Sequence, residues 1–460
     1  MAKEKIKQLR DFPSVEEILQ DKRLSRAISS VPRPLASNIT KQVVGELKGE
    51  FKKGRKALCV EDIINDVKRH IGWLKSSEIS RVINATGIIV HTNLGRAPLS
   101  ESIFDDVKRT AVGYGNIEFD LQTGSRGSRG EACERYLAEL SGAESGTIVN
   151  NCAAALLITL NTLANRKKVI ISRGELVQIG GGFRIPDILK KSGARLCEVG
   201  TTNITSVEDY QESIDDKTGL ILRVHQSNFI QRGFTDQVDL KALVALGKKF
   251  KIPVVNDLGS GVFISTRPVL GYAEPTVQQS IRDGADITCF SGDKMLGGCQ
   301  AGLIVGRGDI VDRIKRNALF RTVRVDKIVF SILEKLLAHY LNGDWAEQIK
   351  VWSLLTVPES ELYRRGKQVL KELGNPAGVS VEATAAYVGG GALPESSIPS
   401  VGIVFSSDHK ASALLRELRA MTIPVIGRID GDCLILDLKA IDESDISYLK
   451  NAIAKVLGRG

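Results

Sequence analysis

The sequence predicts an α/β protein with a mainly parallel sheet in its large domain, a small helical N-terminal domain and an α+β C-terminal domain. Three observations carry this. From about position 132 to 305, short apolar runs that read as buried strands alternate with helical stretches, as in a parallel sheet covered on both faces. Residues 1 to 78 are helical in period and rich in basic groups. Beyond about position 345 the order changes to helices, short strands and a closing helix. The expected domains are therefore 1–78, 79–345 and 346–460.

The bulk composition suits a globular chain. Hydrophobic residues make up 43% and charged ones 25% of the 460 residues. No apolar run approaches the roughly 20 residues that span a bilayer. The basic start is not followed by an apolar core, so no signal peptide is expected. Seven cysteines, odd in number, lie scattered without metal-ligand spacing. They point to reduced thiols and a cytoplasmic location, with no metal site.

The net charge is +9, and residues 1–78 hold 17 Lys and Arg against 11 Asp and Glu, an excess of 6. This concentration points either to an anionic partner for the N-terminal part or to an ordinary solvated face. Within it, Ser14 and Glu17 form a capping box ahead of Val15, Ile18 and Leu19. Val31-Pro-Arg-Pro34 breaks the chain before a stripe of Ile39, Val43, Val44 and Leu47. Lys41, Lys48, Lys52, Lys53, Arg55 and Lys56 sit at or beyond the end of that stripe. A third helix is expected over Val60 to Leu74, acidic at its start and basic near its end. Aromatic residues are few, which favours contact with phosphates and RNA shape over base stacking.

Ile83 to Pro98 is an apolar run followed by a glycine-rich turn ending at Arg96, either a domain-entry loop or a segment laid across a site. Gly124-Ser-Arg-Gly-Ser-Arg-Gly130 places two arginines where they either meet phosphates or serve a flexible loop. Asn151, Cys152 and Ala153 open a helix directly after a strand, where free N–H groups and small side chains suit an anion. Further glycine-rich or polar junctions fall at Gly180-Gly-Gly182 and Val224-His-Gln-Ser-Asn228. His225 is placed either to stack on or bond to a cofactor ring or to serve the fold. Arg321 and Arg324, three apart, share one face if helical, and suit either a bidentate oxyanion contact or the solvent. In the last domain, helices near 359–373 precede expected short strands at Ser380–Thr384, Gly402–Ser406 and Leu434–Leu438, with loops at Gly389-Gly-Gly391 and Pro424.

The chemistry centres on Ser291-Gly-Asp-Lys294, at the end of the expected strand Ile287–Phe290. A lysine on such a turn either faces solvent in a loop or, when its ammonium is desolvated, forms a Schiff base with a carbonyl. Thirty-seven positions upstream, Asp257 lies at the carboxyl end of the strand Ile252–Val255, where ligands of open parallel sheets sit. A lysine with a carboxylate for a pyridinium nitrogen is the signature of pyridoxal 5'-phosphate.

With these stretches assembled, the chain resembles the bacterial selenocysteine synthases, the L-seryl-tRNA(Sec) selenium transferases. The matching pieces are Leu9–Val15, Ile83–Leu99, Ser172–Asp187, Ser291–Gly298 and Phe320–Lys327. The resemblance implies a PLP-dependent transferase of fold type I, with Lys294 bearing the cofactor and Asp257 on its ring nitrogen. It implies that Asn151, Cys152, Ala153 and Ser291 lie near the phosphate, and that Asp293, Arg96, Arg321 and Arg324 surround the selenium donor and the reacting serine. It also implies a tRNA-binding N-terminal domain, selenophosphate as donor and a homo-oligomeric ring of dimers, a decamer. Cys152, Gln178 and Cys299 stand where the family usually has Asn, Glu and Pro. The alternative expectation is a PLP-dependent lyase acting on a free small amino acid or amino sugar.

Overall fold

The computed structural model describes residues 5–54, 58–179, 182–226, 229–389 and 392–458. The expectations for Arg55, Lys56, Gly180-Gly181, Ser227-Asn228 and Gly390-Gly391 lie outside the described residues. The chain divides into two compact units, Met1–Arg81 and Val82–Gly460.

The first unit is built on helices α1 (Arg33–Lys52) and α2 (Val60–Ser77). Pro34 sits in the first turn of α1, where a missing N–H costs nothing. The stripe of Val43, Val44 and Leu47 on α1 is buried with Ile63, Ile64, Val67 and Ile71 of α2 in one core. Ser14 caps a short helix, Val15–Leu19, through the reciprocal bonds with Glu17. On α2, Lys68 and Arg69 face solvent beside Trp73, whose surface is 71% exposed.

The second unit holds a seven-stranded sheet. Its strands are β1 (Ser145–Val149), β2 (Lys168–Ser172), β3 (Arg195–Val199), β4 (Thr218–Val224), β5 (Val254–Gly259), β6 (Ile287–Ser291) and β7 (Gly302–Gly306). The spatial order is β3-β2-β4-β5-β6-β7-β1. Pairings from β3 through β6 are parallel, while β7 runs antiparallel to both β6 and β1. Side chains alternate across β7. Leu303 and Val305 join Leu333, Leu336 and Leu337 of helix Lys327–Asn342 in one core. Ile304 joins Leu156 and Leu160 of helix α3 (Cys152–Ala164) in the other. This period of two, with both faces covered, is why these strands read as continuous apolar runs.

A five-stranded sheet lies beyond, in the order Arg428–Asp430, Cys433–Asp437, Ala392–Phe405, Val379–Gly389 and Ile88–Val90. The two strands expected here as short are a long antiparallel pair running from Val379↔Phe405 to Gly389↔Ala392. Their length follows from partners on both sides, which no local signal encodes.

Candidate functional site

The lysine turn is held down by its apolar neighbours. Met295 and Leu296 are fully buried, each burial contributing about 2 kcal/mol, and they draw Lys294 inward until it is 5% exposed. Asp293 and Ser291 are 6% and 5% exposed, so the solvent-facing alternative for this turn fails. The loop is closed by Gly292 N–H to Ala301 O at 2.9 Å and by Gly298 N–H to Gly292 O at 2.8 Å. Gly297 takes a positive φ of 76°, and a Cβ there would stand 2.5 Å from the Ile349 side chain. Only glycine permits that turn.

Asp257 lies within β5, not past its end, because the strand continues to Gly259. Burial pushes its carboxyl up to about 6, and the Lys294 ammonium, the Cys152 thiol and His225 pull it back. The Cys152 Sγ lies 3.7 Å from Asp257 Oδ1. Burial also raises the Cys152 thiol, with Asp257 adding to the effect, while Lys294 and a hydrogen bond with Ser291 oppose it. Asp257, Cys152 and Ser291 therefore lie together, with the Lys294 charge bearing on Asp257 and Cys152. His225 follows β4, and its main-chain N–H donates to Asp257 O at 2.9 Å.

The N-terminus of α3 opens into the same place. Asn151 is its cap, its Oδ1 accepting from Ala154 N–H at 2.8 Å. The N–H groups of Cys152 and Ala153 stand at the first two helical positions, which have no acceptor inside a helix. A Cβ on Gly302 would lie 2.1 Å from Asn151 O, so glycine lets β7 pass directly under this end.

Asp293 is tied to Arg96 across 197 positions, Arg96 Nη1 to Asp293 Oδ2 at 2.7 Å. The main chain repeats the link, Ala97 N–H to Asp293 O at 3.2 Å. Arg96 adopts a φ of 67°, a strained backbone for a non-glycine residue, as found where surroundings hold a side chain in a set position.

Arg321 and Arg324 do not share a helical face. Arg321 lies in the 3-10 turn Ala318–Val323, and Arg324 follows it in extended conformation. The chain turns there because Asn150 N–H bonds Val323 O at 3.0 Å. Both arginines line a cavity of about 480 Å³ with Arg126, Arg129, Glu118 and Asp326. Arg126 and Arg129 both reach Glu118 and, with Arg324, hold its carboxyl below the usual range. Among the described residues, Arg321 and Arg324 make no hydrogen bond or ion pair with Arg96 or Asp293. Cys299 connects the two places: burial raises its thiol to about 12, with both Asp293 and Asp326 adding to it. Sequence reasoning missed Glu118, which carries no motif of its own; Asp326 lies in the matching stretch Phe320–Lys327 but has no role assigned there.

Pyridoxal 5'-phosphate fits these residues. It has an aldehyde, a ring nitrogen and a phosphate. The site offers a buried amine at Lys294, a buried carboxylate at Asp257, and the N-terminus of the 13-residue helix α3.

Asp257 yields a pH prediction. A carboxyl raised in the folded state contributes stability that is present below its unfolded value of 3.8 and lost as pH rises through about 6. Cofactor-free protein should therefore lose on the order of 3 kcal/mol from this group between acid and pH 8. Asp257→Asn should flatten that loss in thermal melts. The same change should weaken pyridoxal 5'-phosphate binding at pH 8 by about 10-fold or more, because the charged partner is gone. Equal affinity in both proteins would contradict the placement.

Residues 82–442 match the family described as SelA, L-seryl-tRNA selenium transferase. The L-seryl-tRNA(Sec) selenium transferase of Carboxydothermus hydrogenoformans is 40% identical over 464 aligned positions, covering 99% of both chains. That of Aquifex aeolicus is 41% identical, covering 98% of this chain and 99% of its own. Among solved structures, D-glucosaminate-6-phosphate ammonia-lyase superposes with a TM-score of 0.60 at 17% identity, over 85% of this chain and 98% of its own, a likeness of fold.

Proposed function

The chain belongs to the L-seryl-tRNA selenium transferase family, and from that premise we propose that it converts seryl-tRNA(Sec) to selenocysteinyl-tRNA(Sec) with pyridoxal 5'-phosphate as cofactor. The observation that carries the reading is Lys294, buried where its charge bears on the equally buried Asp257 and on Cys152 at the start of α3. When bound, the cofactor supplies an electron sink that labilises the α-proton and the β-hydroxyl of an esterified serine.

The protein's residues divide the remaining work. Asp257 keeps a proton on the ring nitrogen. The N–H groups of Cys152 and Ala153, with Ser291 nearby, bind the phosphate; Asn151 caps that helix. Lys294, once free, takes the α-proton at Nζ. Asp293, ion-paired with Arg96 as a carboxylate, is proposed to relay to the departing hydroxyl the proton that Lys294 has taken. Selenophosphate is the proposed donor, and the guanidinium groups of Arg96, Arg321 and Arg324 offset its charge.

The basic unit 1–81 is assigned to the tRNA, supported by the exposed Lys68, Arg69 and Trp73 on α2. Self-association into a ring of dimers, reaching a decamer, is supported by the exposed Phe104, Val112, Tyr114, Phe119 and Leu121. All seven cysteines are free of disulfides, which suits a cytoplasmic site. Among the described residues, no helix is long and apolar enough to cross a membrane.

The test is direct. Incubation with seryl-tRNA(Sec) and selenophosphate should convert the esterified serine to selenocysteine, read by mass spectrometry of the released amino acid. Release of serine alone, with the cofactor bound, would count against the reading.

A further inference from the structure

We infer that Glu274 is a positioning residue that fixes the His225 imidazole next to Asp257, with the ring proton on Nε2. The inference rests on the reading of the Lys294 and Asp257 site as the pyridoxal 5'-phosphate site. His225 is anchored on its main chain by the bond to Asp257 O at 2.9 Å. Its side chain is 20% exposed, and its Nε2 stands 3.4 Å from Glu274 Oε1. The Glu274 side chain is 3% exposed, and its Oε1 is buried with no hydrogen-bond partner. A buried carboxylate oxygen without a donor costs free energy, so a nitrogen at this distance is drawn to supply one. A small rotation of the imidazole aligns Nε2–H with Oε1.

Glu274 is itself held firmly. Its N–H donates to Thr266 Oγ1 at 2.8 Å, and that hydroxyl donates to Tyr272 O at 2.8 Å, closing the loop 266–274 around a fully buried threonine. The His225 charge acts on Asp257, as does that of Lys294. Asp236 lines a cavity with His225 and makes no ion pair with it among the described residues. Arg223, two positions earlier on β4, shares with Glu274 a cavity of about 480 Å³ and makes no ion pair with it among the described residues. Glu274 is thus the carboxylate placed to select the tautomer.

The consequence is a pre-organised ring. With Nε2–H directed at Glu274, the imidazole cannot spin about its Cβ–Cγ bond, and its face stays turned in one direction. A planar cofactor then meets a surface that is already ordered, and less rotational freedom is lost on binding.

Histidine 15N spectra of the full chain test this, because the protein has only five histidines and His225→Phe identifies the signal. The wild type should show His225 protonated on Nε2. Glu274→Ala should give a mixture of tautomers and raise the pyridoxal 5'-phosphate Kd by about 10-fold. Glu274→Gln, whose amide oxygen still accepts, should keep the tautomer and stay within about 3-fold of wild type. The double change with His225→Phe should bind no more weakly than His225→Phe alone.

Proton occupancy on Nδ1 in the wild type, an unchanged tautomer in Glu274→Ala, or additive losses in the double variant would each overturn the inference. If Glu274→Ala does not fold, the wild-type and Glu274→Gln spectra decide it. If the spectra agree with the inference while Lys294 takes up no pyridoxal 5'-phosphate, the cofactor reading falls and the pairing stands.

Discussion

Lys294→Ala abolishes both the absorbance of bound pyridoxal 5'-phosphate as a lysine adduct and the turnover of seryl-tRNA(Sec), the latter by an expected factor of about 10⁴ or more. Among the described residues, Lys294 is the lysine whose charge bears on Asp257 and on Cys152. Its removal also leaves the buried Asp257 without its cationic neighbour, so the carboxyl should rise further above about 6 and be neutral over more of the working range. Lys294→Arg separates the two roles. A guanidinium keeps the positive charge but forms no such adduct, so this variant should hold its melting temperature and still show neither absorbance nor turnover. Absorbance and turnover persisting in the alanine variant would end the assignment.

Removing residues 1–81 should leave cofactor binding intact and reduce turnover of tRNA-bound serine by about 100-fold or more at physiological salt. The remaining unit, Val82–Gly460, keeps both sheets, the lysine turn and the helix α3. The removed unit has its own apolar core. What it takes away is an excess of basic groups and the exposed face of α2. The salt dependence of tRNA binding should flatten in the shortened protein, since fewer phosphate contacts release fewer counterions. A lyase acting on a free small amino acid would make no use of this unit. Undiminished turnover of seryl-tRNA(Sec) after the deletion would remove the RNA-binding role from it.

The local features of the fold were legible because local chemistry encodes them. Ser14 with Glu17, the helix start at Asn151, and the lysine after a buried strand each need only a few adjacent residues. So did the alternation of strands and helices, since a strand buried on both faces must be apolar throughout. Arg321 and Arg324 show the limit. Their spacing suits one helical face, but a bond from Asn150 to Val323 ends the turn between them.

What remained for the tertiary structure to decide is which distant residues meet. Arg96 and Asp293 are 197 positions apart, and Cys152 and Asp257 are 105 apart. Glu274 and His225 meet because a threonine-closed loop lies against the end of β4. The sequence by itself determined the chemistry available: an amine, a carboxylate, a helix start with free N–H groups and a supply of arginines. The packed sheet decided their partners. Backbone propensity and hydrophobic period act over a few residues, whereas ion pairs between far segments exist only once the core has fixed where each strand ends.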